Sequence, residues 1–373
     1  MTDLSQTGAI RFPSSPMASL IDTSVRYDLA ESTSPALRVG DLDGSALADL
    51  SLGYGTSAGS AELRALIAAD AGVEPEHVLV TAGAIDAMFL LAQDVCPGRV
   101  LVVGPYYAPA VSVPRGLGSP VDTMPLRFDD GYRLPVDTIA DALTPATRMV
   151  TLASPQNPSG VRCHERELLD LLAAVDERAP RAVVLLDETY RASTYGDADV
   201  PPSAVALSPR VVTCSSLSKA HGAPGLRVGW LVTTDAQRYE RLRDAKFATS
   251  IACSTVDEHL AVRVLRAGPA LLAPRAERLA SALTELRAWV AGQPVDMVVP
   301  DGGALCCLRL RADRFPDDDA VAACYARLAE RDTRVAPGSW FGEDDRVFRL
   351  GFGHLSAPDF TEALARLAEA LAC

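Results

Sequence analysis

The sequence predicts an α/β fold: a large domain with a mainly parallel sheet flanked by helices, joined to a smaller α+β domain. Three observations carry this. Short runs rich in Val and Leu recur at His77–Thr81, Arg99–Val103, Met149–Ala153, Ala182–Asp187, Val211–Ser215 and Val228–Thr233. They are apolar on both faces, as parallel strands buried on both sides are. Helix-like stretches lie between them at Ala84–Gln93, Glu165–Val175 and Gln237–Ala248, the alternation of an α/β sheet with helices on both faces. From Pro269 the pattern changes. An amphipathic stretch to Ala291 leads into strand-like segments around Met297 and at Ala304–Leu310. A helix at Asp319–Arg331 follows, then Arg334–Ala336, Phe348–Gly351 and a final helix at Pro358–Leu371. The expected division is residues 1–40 as an N-terminal segment of the small domain, 41–268 as the large domain and 269–373 as the C-terminal small domain. No repeat or low-complexity linker separates the parts, so they are expected to pack together.

The 373 residues and 48% hydrophobic content suit one large domain with a smaller companion. A net charge of −13 argues against a nucleic-acid partner. No apolar run reaches the roughly 18–20 residues that span a bilayer, so no membrane partner is expected. The start, MTDLSQTGAIRFPSSPM, lacks a basic segment followed by an apolar one, and a cytoplasmic protein is expected. The eight cysteines (96, 163, 214, 253, 306, 307, 324 and 373) include no CxxC pair, and the five histidines are scattered. Buried free thiols are expected, with no metal site. Cys306 and Cys307 should point to opposite faces of a strand. Of 35 basic residues only Lys219 and Lys246 are lysines, which leaves two candidates for any amine chemistry.

The segment Ser215-Ser216-Leu217-Ser218-Lys219-Ala220-His221-Gly222-Ala223-Pro224-Gly225-Leu226-Arg227-Val228-Gly229 holds one of them. A strand delivers Lys219, flanked by small hydroxyl residues, into a Gly- and Pro-containing loop. In a dry crevice such an amine can be lowered in pKa enough to attack a carbonyl. Arg227, by a bidentate fork, and the Ser216 hydroxyl could grip a phosphate. The alternative is a surface lysine near an unrelated arginine. Upstream, the apolar run Ala182–Leu186 ends in Asp187-Glu188-Thr189-Tyr190, and Asn157-Pro158-Ser159-Gly160 follows another apolar run. Both put polar groups at carboxyl ends of strands, where α/β proteins bind ligands. An ordinary turn would account for the second, and a solvated strand end or helix cap for Asp187.

In this order and spacing NPSG, DETY, SLSK and LRVG resemble the fold-type I pyridoxal-phosphate enzymes of the class I/II aminotransferase superfamily, over essentially the whole chain. The resemblance implies pyridoxal 5′-phosphate held as a Schiff base on Lys219, which would then move the α-proton of a bound amino acid. It implies Asp187 at the pyridine nitrogen, and Asn157 and Tyr190 at the phenolic oxygen. Arg227, Ser216 and the neighbouring Ser218 would serve the phosphate. Val78–Ala87 resembles the family's strand, Gly turn and helix start, which implies phosphate on the amides of Gly83, Ala84 and Ile85. Gly104-Pro105-Tyr106-Tyr107 implies Tyr107 stacked on the cofactor; otherwise it is a core tyrosine. Leu52–Gly59 resembles the segment that sends a tyrosine, here Tyr54, to the partner's phosphate, which implies a homodimer with shared sites. Phe348-Arg349-Leu350-Gly351 implies Arg349 as clamp for the substrate α-carboxylate.

One stretch departs from the pattern. Where many aminotransferases have a Gly, Tyr27-Asp28-Leu29-Ala30-Glu31-Ser32-Thr33-Ser34-Pro35 has Ser32 or Thr33 as a substrate-lining residue, and the segment resembles capreomycidine-synthase-like members. Arg191 could reach a substrate or be structural. The expected enzyme is a transferase moving the amino group of an α-amino acid. The alternative is a non-transaminating relative that eliminates, cyclises, replaces at the β or γ carbon, or forms a C–C bond. A binding protein without catalysis is the third reading, which the intact residue set disfavours.

Overall fold

In the strand Val183–Asp187, neighbouring side chains join different cores. Val184 and Leu186 pack with Leu101, Val103, Val150 and Leu152 on one side of a sheet. Val183 and Leu185 pack with Val100, Val102 and Val212 on the other. Burial of both faces is why these strands read as unbroken apolar runs. The computed structural model describes residues 12–13, 15–42 and 47–372, so the initial stretch 1–11 and Cys373 lie outside the described residues.

The strands in order are β1 (Tyr27–Asp28), β2 (Val78–Thr81), β3 (Arg99–Gly104), β4 (Val121–Pro125), β5 (Thr147–Ala153), β6 (Val183–Asp187), β7 (Val211–Ser216) and β8 (Gly229–Thr233). Strands β2 to β8 form one sheet in the order β2-β8-β7-β6-β5-β3-β4. The five from β4 to β7 run parallel, whereas β8 is antiparallel to both β7 and β2. The edge strand β4 was not expected from the sequence: its VDTMP run is largely exposed and has no continuous apolar pattern. The helices Ala84–Val95, Glu165–Arg178 and Ala236–Thr249 extend the three expected ones by a few residues.

The C-terminal strands are β9 (Val295–Val298), β10 (Leu305–Leu310), β11 (Thr333–Arg334), β12 (Ala336–Pro337) and β13 (Val347–Gly351). They include a four-stranded antiparallel sheet, β12-β13-β10-β9. The expected single strand at Arg334–Ala336 is instead two short ones in different sheets. β11 pairs in parallel with β1, and the chain crosses at buried Val335 into β12. Through β1 and β11 the N-terminal segment is fastened to the C-terminal part. The helix Gly268–Val290 lays Leu279, Leu283 and Leu286 on this core, beside Leu364 and Leu367 of Ala357–Leu371. Cys306 faces this core and Cys307 the one beneath the main sheet, so the two thiols do point apart. Among the described residues no helix is long and apolar enough to cross a membrane.

The reversed β8 has a consequence for the site. Gly229 begins β8 opposite Thr81, the last residue of β2, and Ser216, the last of β7. Arg227, two residues earlier, therefore comes to the edge where the parallel strands end.

Candidate active site

Five predicted residues meet along that edge because each follows the carboxyl end of a strand. Asp187 ends β6 and Ser216 ends β7, while Asn157, Tyr107 and Gly83 lie just past β5, β3 and β2. This is where a parallel sheet opens a crevice.

The seat for an anion is built from bare backbone. Gly83 precedes the helix Ala84–Val95 in an extended positive-φ conformation and supplies no side-chain cap, so the first amides, including those of Ala84 and Ile85, have no side-chain acceptor from that residue. A Cβ on Gly229 would lie 2.4 Å from the Gly83 carbonyl carbon, and one on Gly83 would lie 2.5 Å from Arg227 Nη2. The guanidinium thus stands directly over the helix start. Arg227 takes a left-handed backbone (φ 51°) and anchors itself by donating from Nη1 to Pro224 O at 3.0 Å. Buried Ser216 completes the edge, its Oγ accepting from the Ser218 amide at 3.3 Å. Helix amides and a guanidinium with no side chain between them suit a phosphate.

Lys219 sits in the β7–β8 loop facing the N-terminal segment. Its Nζ donates to Ser32 Oγ at 3.2 Å, lies 3.6 Å from Glu31 Oε1 and stands over the Tyr190 ring. Ser32 Oγ in turn shares a 2.7 Å hydrogen bond with Tyr190 OH. The sequence led us to expect a lowered amine. Burial does work against the ammonium, but Tyr190 and Glu31 outweigh it, and the amine is raised above its ordinary value. Tyr190, itself a motif residue, and Glu31, which no motif marked, together reverse the expected direction. Burial would likewise raise the Glu31 carboxyl, yet Lys219 and Arg349 hold it down to about 2. Thr33, beside it, bonds His354 Nδ1 through Oγ1 at 3.3 Å.

Arg349 enters the same pocket from β13, only 2% exposed. Nη1 donates to Asn157 Oδ1 at 2.8 Å, Nη2 donates to Ala30 O, and the guanidinium lies 4.8 Å over the Phe341 ring. Its Nε is buried without a partner. A buried donor left open is costly unless something fills it.

Asp187 accepts from the Thr189 amide at 2.9 Å and from the Thr189 hydroxyl, which fixes its orientation. Burial raises its carboxyl above the usual range, with the Thr189 bonds offsetting part of the rise. Burial also raises the half-buried Tyr107 phenol, and Lys219, Asp187, Tyr190 and Arg227 all act on it electrostatically, so it belongs to this cluster.

Three other candidates stand apart. Lys246 is fully buried and donates to Ser57 O at 2.6 Å, which leaves Lys219 as the lysine of the site. Arg191 turns away to Asp70, Glu188 and Pro201 O, a structural arrangement. Tyr54 is 88% exposed, remote from any packing within its own chain.

Residues 27–367 match the family model for aminotransferase class I and II. The chain belongs to that family. It is 31% identical to the capreomycidine synthase of Streptomyces vinaceus over 85% of this chain and 80% of that protein. Among solved structures, a pyridoxal-phosphate-dependent aminotransferase from Streptococcus suis aligns with a TM-score of 0.87 at 25% identity, covering 97% of this chain and 98% of that one. The pyridoxal-phosphate-dependent cyclase OrfR aligns with a TM-score of 0.85 at 25% identity, covering 98% and 99%. The protein is thus a pyridoxal-phosphate-dependent transferase of fold type I. Its residues fit the cofactor: Arg227 stands over the start of the helix Ala84–Val95, whose first amides carry no side-chain cap, a guanidinium and amides of the kind that hold a phosphate.

Sequence reasoning missed Glu31 and His354. Glu31 had a faint signal, a carboxylate directly before the position where the family's Gly is replaced. His354 had none.

Proposed function

We propose that the protein is an aminotransferase that takes the amino group from an α-amino acid through a Schiff base on Lys219. The observation that supports it most is the approach of Lys219 and Arg349 to one pocket, with the Arg349 Nε open to a carboxylate. Asp187 would hold the ring nitrogen, Asn157 and Tyr190 the phenolic oxygen, and Tyr107 the ring face. Arg227, Ser216, Ser218 and the amides of Gly83, Ala84 and Ile85 would hold the phosphate. When bound, the cofactor supplies an electron sink for a carbanion at Cα. Arg349 would orient the substrate by its α-carboxylate, with Ser32 and Thr33 lining the pocket. Lys219 would carry the proton to and from Cα.

We also propose that two copies share their sites, Tyr54 reaching the partner's phosphate seat. The exposed Leu52, Phe247 and Ile251 lie on segments tied together through Thr255 Oγ1 to Gly53 O and Lys246 Nζ to Ser57 O, an apolar face suited to a second copy.

The second reading is elimination or cyclisation. It draws support from the hydroxyl of Ser32 and the carboxylate of Glu31 beside Lys219, and from the synthase and cyclase among the similar proteins. Single-turnover mixing with amino acids separates the two. Release of a keto acid with an aminated cofactor is the expected result. A cyclised or eliminated product without an aminated cofactor would replace the first reading by the second.

A further inference from the structure

Glu31 is held beside Lys219 and within the field of Arg349, the two residues proposed to meet a bound substrate. The segment carrying it is clamped on both sides: Gly351 N donates to Leu29 O at 2.7 Å and Ser34 N donates to Lys219 O at 3.1 Å. The approach is so close that a Cβ on Gly351 would lie 1.9 Å from Glu31 O. The carboxylate itself is gripped by two amides, Ser32 N at 2.7 Å and Thr33 N at 2.9 Å, both on Oε1. It is 3.6 Å from the lysine nitrogen; burial opposes its charge, and the Lys219 ammonium, the Arg349 guanidinium and the Ser32 amide favour it.

We propose that Glu31 is a charge filter for the substrate side chain. The site takes an α-amino acid whose side chain ends in an ammonium or guanidinium and turns away one with a second carboxylate. The inference rests on the reading of Lys219 and Arg349 given above. In that reading Arg349 answers the α-carboxylate, Arg227 the phosphate and Asp187 the ring nitrogen. Lys219 gives up its free ammonium when its nitrogen is engaged. Glu31 then keeps its two amides but loses the nearest cation that offsets its carboxylate. A cationic side chain restores the pair as a charge-assisted contact. A second carboxylate adds a like charge to a poorly solvated one.

The test uses the cofactor-loaded protein and three acids that lack an amino group and so cannot displace Lys219: pentanoate, 5-guanidinopentanoate and pentanedioate. Calorimetric titration should rank 5-guanidinopentanoate about tenfold or more tighter than pentanoate, with pentanedioate weakest. Glu31→Gln should bring the three within about twofold of one another, and Glu31→Asp should keep the order. Equal affinities in the unaltered protein overturn the filter, and this arm does not depend on any variant folding. A uniform loss for all three acids in Glu31→Gln also overturns it, because that is what a purely structural carboxylate would give. Borohydride fixation followed by peptide mass tests the underlying reading separately. Cofactor fixed on Lys219 with no charge ranking would sink the filter alone.

Discussion

Arg349 Nη1 donates to Asn157 Oδ1 at 2.8 Å, joining β13 to the loop after β5 across 192 residues of sequence. The bond fixes which face of the Asn157 amide is turned to the guanidinium and which is left to donate elsewhere. Nε, buried without a partner, is among the donors that Arg349 has left. Lysine in this place is a compact point charge, without the planar fork that spans Asn157, Ala30 O and an incoming carboxylate. Arg349→Lys should therefore raise KM for an α-amino acid about ten- to a hundred-fold, with a smaller change in kcat. Steady-state kinetics would reject the clamp if KM stays put.

The proposed phosphate seat depends on an absence of side chain. Gly229→Ala would drive a methyl into the backbone of Gly83 and Ala84. The expected cost is about 1–3 kcal/mol of stability, together with a loss of retained cofactor after dialysis. Gly225→Ala is the control from the same loop, since nothing lies within 4 Å of its Cβ position. Urea unfolding and cofactor absorbance read both quantities; equal retention in the two variants would show that the Gly83–Gly229 cradle is not the phosphate seat.

Because the chain has only two lysines, selectively labelled lysine gives two resonances, and the Lys219 amine can be followed directly in the cofactor-free protein. Ser32 accepts from that amine at 3.2 Å and Glu31 lies 3.6 Å away. Each favours the ammonium. Ser32→Ala and Glu31→Gln should each move the titration of Lys219 to lower pH, Glu31→Gln by more because it removes a full charge. A Lys219 titration unmoved in both variants would break the cluster as drawn.

Six of the seven strands of the main sheet and the residues at their ends were legible because both depend on local pattern. Unbroken apolar runs mark strands buried on both faces, and Asp187 and Ser216 follow directly from where those runs stop. The exposed edge strand β4 has no such run, so it stayed hidden. So did the split at Val335, where three residues look like one strand but cross between two sheets. Glu31 was only faintly readable, for another reason. Its importance comes from Lys219 and Arg349, nearly 190 and more than 300 residues away, and no local period reports a carboxylate brought to a lysine by the bond from Ser34 N to Lys219 O. With Tyr190, the same neighbour reversed the expected direction of the Lys219 shift.

His221, two residues beyond Lys219, provides a pH signature of the loop. It is buried with Nδ1 unpartnered, and burial, then Arg275 and Arg191, lowers it from 6.5 to about 4. The unfolded chain therefore binds a proton on this imidazole at a higher pH than the folded one does. Between about pH 6.5 and 4 the unfolded state carries more protons, so stability falls as pH drops through that window. Below about 4 both states are protonated and the contribution levels off. The full swing is on the order of 3 kcal/mol. His221→Asn removes the titrating group, and the stability difference between variant and parent should shrink or reverse as the pH falls from 7 toward 4, whatever constant offset the substitution brings. Urea unfolding midpoints at several pH values would measure it, and parallel curves for the two proteins would show that His221 is not held neutral in the fold.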